Sequence, residues 1–248
     1  MKAMVFAAGL GTRLKPLTDS MPKALVPVCG QPLLYHVLCK LRDSGYDEIV
    51  VNVHHFADQI RDYLSAHDFG VGIQISDESG QLLETGGAVK HARPLLGDSD
   101  FLVHNVDIVS DLDLKWFRGQ VRPDALATLL VSERKTQRYL LFSDDMRLVG
   151  WTNIATGEVR SPYPDLRPES CRRYAFAGIH YLSPKIFAAF EEYSCPERFP
   201  IIDFYLQACA RHPIYGAVPE NLTMVDVGKA DSLAEAEAVC LRLLSRNP

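Results

Sequence analysis

Near the N-terminus lies Ala7-Ala8-Gly9-Leu10-Gly11-Thr12-Arg13-Leu14, followed by Pro16-Leu17-Thr18 and then Pro22-Lys23. Small side chains let a backbone approach a ligand closely. Glycines permit turns that aim N–H groups at phosphate oxygens, and Arg13 and Lys23 supply positive charge. Together these residues suit a triphosphate cradle. A dinucleotide-binding turn fits less well, because Leu14 stands where the third glycine belongs and Asn52-Val53-His54 offers no ribose-binding carboxylate. A kinase-type P-loop fails because no Gly-Lys-Ser/Thr follows. The plain alternative is an ordinary glycine-rich connection from strand to helix, which the added Arg13 and Lys23 argue against.

Other candidates read more simply. His54-His55 are neighbours on an extended segment, where successive side chains face opposite sides, so a shared metal is disfavoured and a turn or helix entry preferred. Asp111-Leu112-Asp113 resembles the Asp-x-Asp of nucleotide-sugar glycosyltransferases, but more simply opens a helix at Leu114. Six cysteines, Cys29, Cys39, Cys171, Cys195, Cys209 and Cys240, show no Cys-x-x-Cys pair. They read as reduced thiols, mostly buried, rather than a zinc site or a disulfide framework.

The elements that must position these residues alternate. Strands are expected at Lys2 to Ala7, Glu48 to Val53, Val71 to Ser76, Phe101 to Val106 and Ala125 to Val131. Helices are expected at Leu33 to Ser44, Ala57 to Ala66 and Thr85 to Leu96. Alternation of this kind predicts an α/β chain, Rossmann-like and three-layered (α/β/α), with a mixed, mainly parallel sheet and ligands outside its carboxyl edge. Beyond it, Tyr139 to Phe142 and Leu148 to Thr152 read as a hairpin, and Gly157 to Arg173 as an irregular excursion that could cover a sugar. Tyr174 to Leu182, Ile214 to Val218 and Met224 to Val227 read as strands, Pro184 to Glu192 and Ile202 to Arg211 as helices. Ser232 with Glu235 reads as a capping box opening a terminal helix. One domain is expected over 1–248, with a nucleotide part to about 132 and a sugar part beyond.

A chain of 248 residues, 47% hydrophobic, with a formal charge of -5, can bury a large core and has no global basic field. Nucleic acid is therefore a poor partner. With no apolar run of membrane-spanning length and no signal-peptide pattern, the chain reads as cytoplasmic.

The motifs resemble those of the sugar-1-phosphate nucleotidyltransferase family: Gly-x-Gly-Thr/Ser-Arg-Leu, Pro-Leu-Thr and Pro-Lys. The resemblance continues through Val26-Pro27-Val28, Leu83-Glu84-Thr85-Gly86-Gly87, Asn105-Val106-Asp107, Phe176-Ala177-Gly178-Ile179 and Asp226-Val227-Gly228, so it covers nearly the whole chain. It implies that Ala7, Ala8 and Gly9 meet the base, that Gly11, Thr12 and Arg13 hold the outer phosphates, and that Lys23 reaches the α-phosphate. It further implies Glu84, Thr85, Gly87 and Asn105 as nucleotide contacts, Gly178 as a sugar contact, and Asp107 and Asp226 as ligands of Mg²⁺; Asn153 lies in Trp151-Thr152-Asn153, where many relatives carry an acidic-basic element, and could hydrogen-bond a sugar hydroxyl. Two strand-end carboxylates suit that hard ion, which keeps much of its water. A turn or cap is the commoner role for such an aspartate standing alone.

Glu84 departs from the usual Leu-Gly-Thr and resembles the form in N-acetylmuramate 1-phosphate uridylyltransferases and some mannose 1-phosphate guanylyltransferase-like chains. It could face base or ribose; equally, Thr85 could cap a helix and Glu84 be solvated. The usual sugar-phosphate lysine is not evident, and Arg134, Arg138, Arg172 and Arg173 are candidate replacements. The implied reaction passes a nucleoside monophosphate, UMP by preference, from an NTP to a sugar 1-phosphate and releases pyrophosphate, by a monomer or homodimer. A glycosyltransferase consuming a nucleotide sugar, and a non-catalytic sugar-nucleotide sensor, are the alternatives.

Overall fold

The computed structural model describes residues 1–229 and 231–246. The first half comprises β1 (Lys2–Phe6), β2 (Pro27–Val28), β3 (Gln31–Pro32), α1 (Leu33–Asp43), β4 (Glu48–Val53), α2 (Ala57–Ala66), β5 (Gly72–Asp77), α3 (Glu84–His91), α4 (Arg93–Leu96), β6 (Phe101–Asn105), β7 (Ile108–Ser110) and α5 (Leu114–Gly119). The second half comprises β8 (Ala127–Ser132), β9 (Arg138–Phe142), β10 (Leu148–Asn153), β11 (Glu158–Arg160), β12 (Arg172–Leu182), α6 (Lys185–Glu192), α7 (Ile201–Ala208), β13 (Ile214–Ala217), β14 (Met224–Asp226) and α8 (Asp231–Arg246).

The main sheet runs β11-β10-β9-β12-β6-β1-β4-β5, and β8 joins β12 to β13. Following the pairings across it, only β10 and β12 run against the other strands. This is the mixed, mainly parallel sheet expected. Its central strands are apolar on both faces, as burial between two helical layers requires. Ala3, Val5, Ile49, Val51 and Leu102 join one core with α1, α2, α5 and α8. Met4, Val50, Phe101 and Val103 join the other with α3, α4, α6 and α7. The three-to-four spacing of α1 is explained by its buried Leu33, Leu34, Val37, Leu38 and Leu41. Each such side chain contributes about 1.5–3 kcal/mol relative to exposure.

Some elements differ from the sequence expectation. The single helix expected at Thr85 to Leu96 is two, broken at Ala92 just before Pro94, which has no N–H to continue the ladder. The excursion at 157–173 contains β11, paired to β10 through Trp151↔Arg160. The capping box is corrected: α8 already includes Ser232, whose hydroxyl pairs with the backbone N–H and carbonyl of Lys229. Asp113 does open α5, its carboxylate accepting the N–H of Lys115 at 2.8 Å.

Candidate active site

At the carboxyl edge of β1, β4 and β6 lies a cavity of about 540 Å³. Its walls include Ala8, Gly9, Gly11, Thr12, Arg13, Lys23, Asn52, Glu78, Glu84, Thr85, Asn105, Asp107 and Gly228. The glycine-rich segment leaves β1 and turns at Gly11, whose φ is +65°. A Cβ there would stand 2.8 Å from Thr18 Cγ2, and the Thr18 hydroxyl donates to the Gly11 carbonyl at 2.8 Å. Gly11 therefore serves the turn's shape, and Thr18 locks it.

The backbone of Ala7 and Ala8 is held by a residue that the motif reading passed over. Asn52, 3% exposed, accepts the N–H of Ala7 at 2.7 Å and of Ala8 at 3.3 Å through Oδ1. Its Nδ2 donates to Glu78 Oε1 at 2.7 Å, and the other Glu78 oxygen accepts the Leu83 N–H at 3.2 Å. Burial pushes the Glu78 carboxyl up, while Asn52 and Leu83 pull it back. One buried amide and one buried carboxylate thus tie together the segments after β1 and β5. An asparagine inside the apolar run Glu48–Val53 was the available sequence signal.

The part of the site around Lys23 is more strongly charged. Lys23 Nζ and Asp107 Oδ2 form an ion pair, with Lys23 only 8% exposed. Asp226 is carried on β14, which pairs antiparallel with β7 in the register Asp226↔Ile108, and the Val227 N–H donates to the Asp107 carbonyl at 2.8 Å. The two carboxylates, 119 positions apart in the chain, are neighbours. Burial first, then the charge of Asp107, raises Asp226 above its ordinary range, against the pull of Lys23, Arg13 and Arg134. Gly228 makes room here: a Cβ on it would stand 3.0 Å from both Arg13 Nη2 and Asp226 Oδ1. Two neighbouring carboxylates with adjoining cations, Asp107 lining the cavity and Asp226 beside it, have the chemistry to take a hard divalent ion along with phosphate oxygens.

Glu84 and Thr85 line the cavity, but both also work for the scaffold. Glu84, at φ +61°, accepts from Arg198 Nε at 3.0 Å. The Thr85 hydroxyl accepts the Ile201 N–H at 2.9 Å and so caps α7, rather than its own helix. Gly87 does not line this cavity; a Cβ on it would lie 2.1 Å from the Glu197 carbonyl oxygen. Gly178, with φ +74°, is where a Cβ would meet Asn105 Nδ2 at 2.8 Å, so its bareness lets Asn105 lie over β12. Asn153 stands apart at the end of β10, its Oδ1 accepting the Ala155 N–H at 3.0 Å.

Comparison with known proteins agrees with this geometry. The nucleotidyl transferase family profile matches residues 2–242. The chain is 36% identical over 245 residues, 95% of each chain, to N-acetylmuramate alpha-1-phosphate uridylyltransferase of Caulobacter vibrioides. It is 46% identical over 114 residues to the enzyme of that name from Neisseria meningitidis, covering 46% of this chain and 49% of that one. Among solved structures, HddC from Yersinia pseudotuberculosis superposes with a TM-score of 0.75 at 25% identity, covering 96% of this chain and 98% of that one. The inositol-1-phosphate CTP transferase of T. maritima superposes with a TM-score of 0.78 at 16% identity, covering 98% and 95%, a likeness of fold. With the cradle, the paired carboxylates and a match along nearly its whole length, the chain belongs to the nucleotidyl transferase family and is an enzyme of the sugar-1-phosphate nucleotidyltransferase type.

Proposed function

We propose that the protein transfers UMP from UTP to a sugar 1-phosphate, N-acetylmuramate 1-phosphate being the first candidate, and releases pyrophosphate. The carrying observation is the meeting of Lys23, Asp107, Asp226 and Arg13 beside a cavity that Arg13, Lys23 and Asp107 line together with Ala8, Gly9 and Glu78. The uridylyltransferase from Caulobacter vibrioides, matched over 95% of both chains, supports the choice of base and sugar.

A sugar phosphate has a second pKa of about 6 and is already a dianionic nucleophile at neutral pH, so the protein need supply no general base. Its tasks are alignment and charge. Arg13 and Lys23 offset repulsion between the two anions and favour the charge growing on the departing pyrophosphate. Ala7, Ala8 and Gly9 hold the base against their backbone, with Gly11 and Thr12 beside the outer phosphates. Thr85, Glu84, Gly87 and Asn105 shape the nucleotide side, either directly or by holding its wall. Mg²⁺ would be held by Asp107 and Asp226, where it would neutralise phosphate charge and orient the reacting groups. Residues to about 132 form the nucleotide part; the remainder, including Gly178 and Asn153, forms the sugar part.

The test is magnesium-dependent pyrophosphate release from each of four NTPs against a panel of sugar 1-phosphates including N-acetylmuramate 1-phosphate. Release that requires both UTP and the muramate supports the reading. Preference for another base or sugar corrects it, and release of a nucleoside diphosphate from a nucleotide sugar replaces it with glycosyl transfer.

A further inference from the structure

The β2–β3 hairpin meets α8 through sulfur. The hairpin turn is Cys29-Gly30, with φ of +50° and +76°. Two successive positive values define a tight turn that favours asparagine and glycine, and a cysteine there is at odds with the local backbone preference. The Cys29 thiol donates to the Glu237 carbonyl at 3.4 Å, one helical turn before Cys240. Cys240, 4% exposed, lies 3.9 Å by its sulfur from His36 Nδ1. His36 Nε2 contacts the Val28 carbonyl at 2.7 Å, on the residue beside Cys29. Cys29 and Cys240 are thus neighbours, linked through the Glu237 turn of α8 on one side and through Val28 and His36 on the other.

This arrangement assigns the imidazole tautomer. A carbonyl can only accept, so Nε2 carries the proton and Nδ1 presents its lone pair to the Cys240 thiol. The thiols then differ in kind. Cys29 is partly exposed at a hairpin tip; Cys240 is enclosed, and its pKa is pushed up by burial and by Cys29 beside it.

We propose that Cys29 and Cys240 form a dithiol modification site that reacts with a small disulfide such as oxidised glutathione, with His36 as the base for the second step. The Cys29 thiolate attacks one glutathione sulfur and expels a glutathione thiolate, leaving a mixed disulfide. Cys240 then gives its proton to His36 Nδ1, and its thiolate attacks Cys29 Sγ and expels the second glutathione thiolate. Protein dithiol and glutathione disulfide become protein disulfide and two glutathiones, and no other oxidant is needed. The bond would tie the strand pair that follows Lys23 to the helix that follows Asp226.

The test incubates the full chain with oxidised glutathione and maps the products by mass spectrometry without reduction. Cys39 shares the neighbouring cavity with Cys240, so a Cys39→Ser variant is run in parallel. The expected product in both proteins is a Cys29–Cys240 link lacking two hydrogens. Cys240→Ser should stop at a glutathione adduct on Cys29, and Cys29→Gly, which suits the turn, should give no link. His36→Gln should accumulate the mixed disulfide and slow its closure by about 10²-fold. The proposal is overturned if folded protein gives only independent glutathione adducts, if Cys240 of Cys29→Gly still enters an intramolecular disulfide at the parent rate, or if His36→Gln closes at the parent rate.

Discussion

The ammonium of Lys23 rests on the carboxylate of Asp107, 84 positions along the chain, and joins the phosphate-loop segment to the end of β6. Asp107 also raises its neighbour Asp226. Replacing Asp107 with Asn removes a proposed ligand for the cation but relieves that repulsion, and Asp226 remains to balance Lys23. Turnover should fall by at least about 10²-fold, with the urea midpoint close to the parent's. Pyrophosphate release and urea titration measured on one preparation check both halves. Loss of activity together with loss of the fold would leave the catalytic assignment unsupported.

Gly228→Ala tests the space shared by Arg13 and Asp226. A methyl group 3.0 Å from both must displace the flexible guanidinium or turn the carboxylate. The KM for the NTP should rise about tenfold, equivalent to about 1.4 kcal/mol, while far-ultraviolet circular dichroism is unchanged. A parent-like KM would show that Arg13 does not reach the phosphates from this position.

Asn52→Ala strips the Ala7 N–H of its acceptor and Glu78 of its amide partner, both in buried surroundings. The cost should be about 1–3 kcal/mol of stability, with weaker nucleotide binding by calorimetry. Asn52→Asp keeps an acceptor for Ala7 and Ala8 but sets a second carboxyl against Glu78, and should bind nucleotide better at lower pH. Equal binding across pH would argue against that electrostatic pairing.

His104 and His180 are buried, and burial lowers each to about 3 from 6.5. Both stay neutral in the folded chain while the unfolded chain takes up protons below pH 6.5. Each imidazole therefore makes stability fall as pH drops from 6.5 towards 3, by up to about 1.4 kcal/mol per pH unit. Urea unfolding at several pH values measures the slope. His180→Gln, which keeps a polar partner for the Tyr205 hydroxyl now 2.6 Å from Nδ1, should remove one residue's share of it. An unaltered slope would assign the acid sensitivity elsewhere.

Much of this was legible because local rules and global packing agree. The glycine-rich turn, the apolar central strands and the acidic strand ends each announced their place. What escaped depends on partners distant in sequence. Asn52 looks like one polar residue in a strand until Glu78 and the Ala7 backbone are placed around it. Thr85 reads as a cap for its own helix, yet it caps α7, which begins more than a hundred residues later. Gly86 and Gly87 look like ligand-approach glycines. Cβ atoms on them would lie 2.2 Å from Phe199 Cε2 and 2.1 Å from the Glu197 oxygen, so close packing against that segment already accounts for both. Spacing along a chain carries no information about such contacts.

The long strand β12 pairs with β9 through Arg172–Tyr174 and with β6 through Ile179–Leu182. β8 pairs with β12 on both sides of the irregularity at Gly178, at Ala175–Phe176 and at His180–Leu182, so rotating one half of β12 against the other would shear ladder bonds along β8. Enclosure of substrates then falls to short loops above a stiff floor. A crystal grown without ligand should therefore tolerate soaking, since filling the cavity asks little of the lattice.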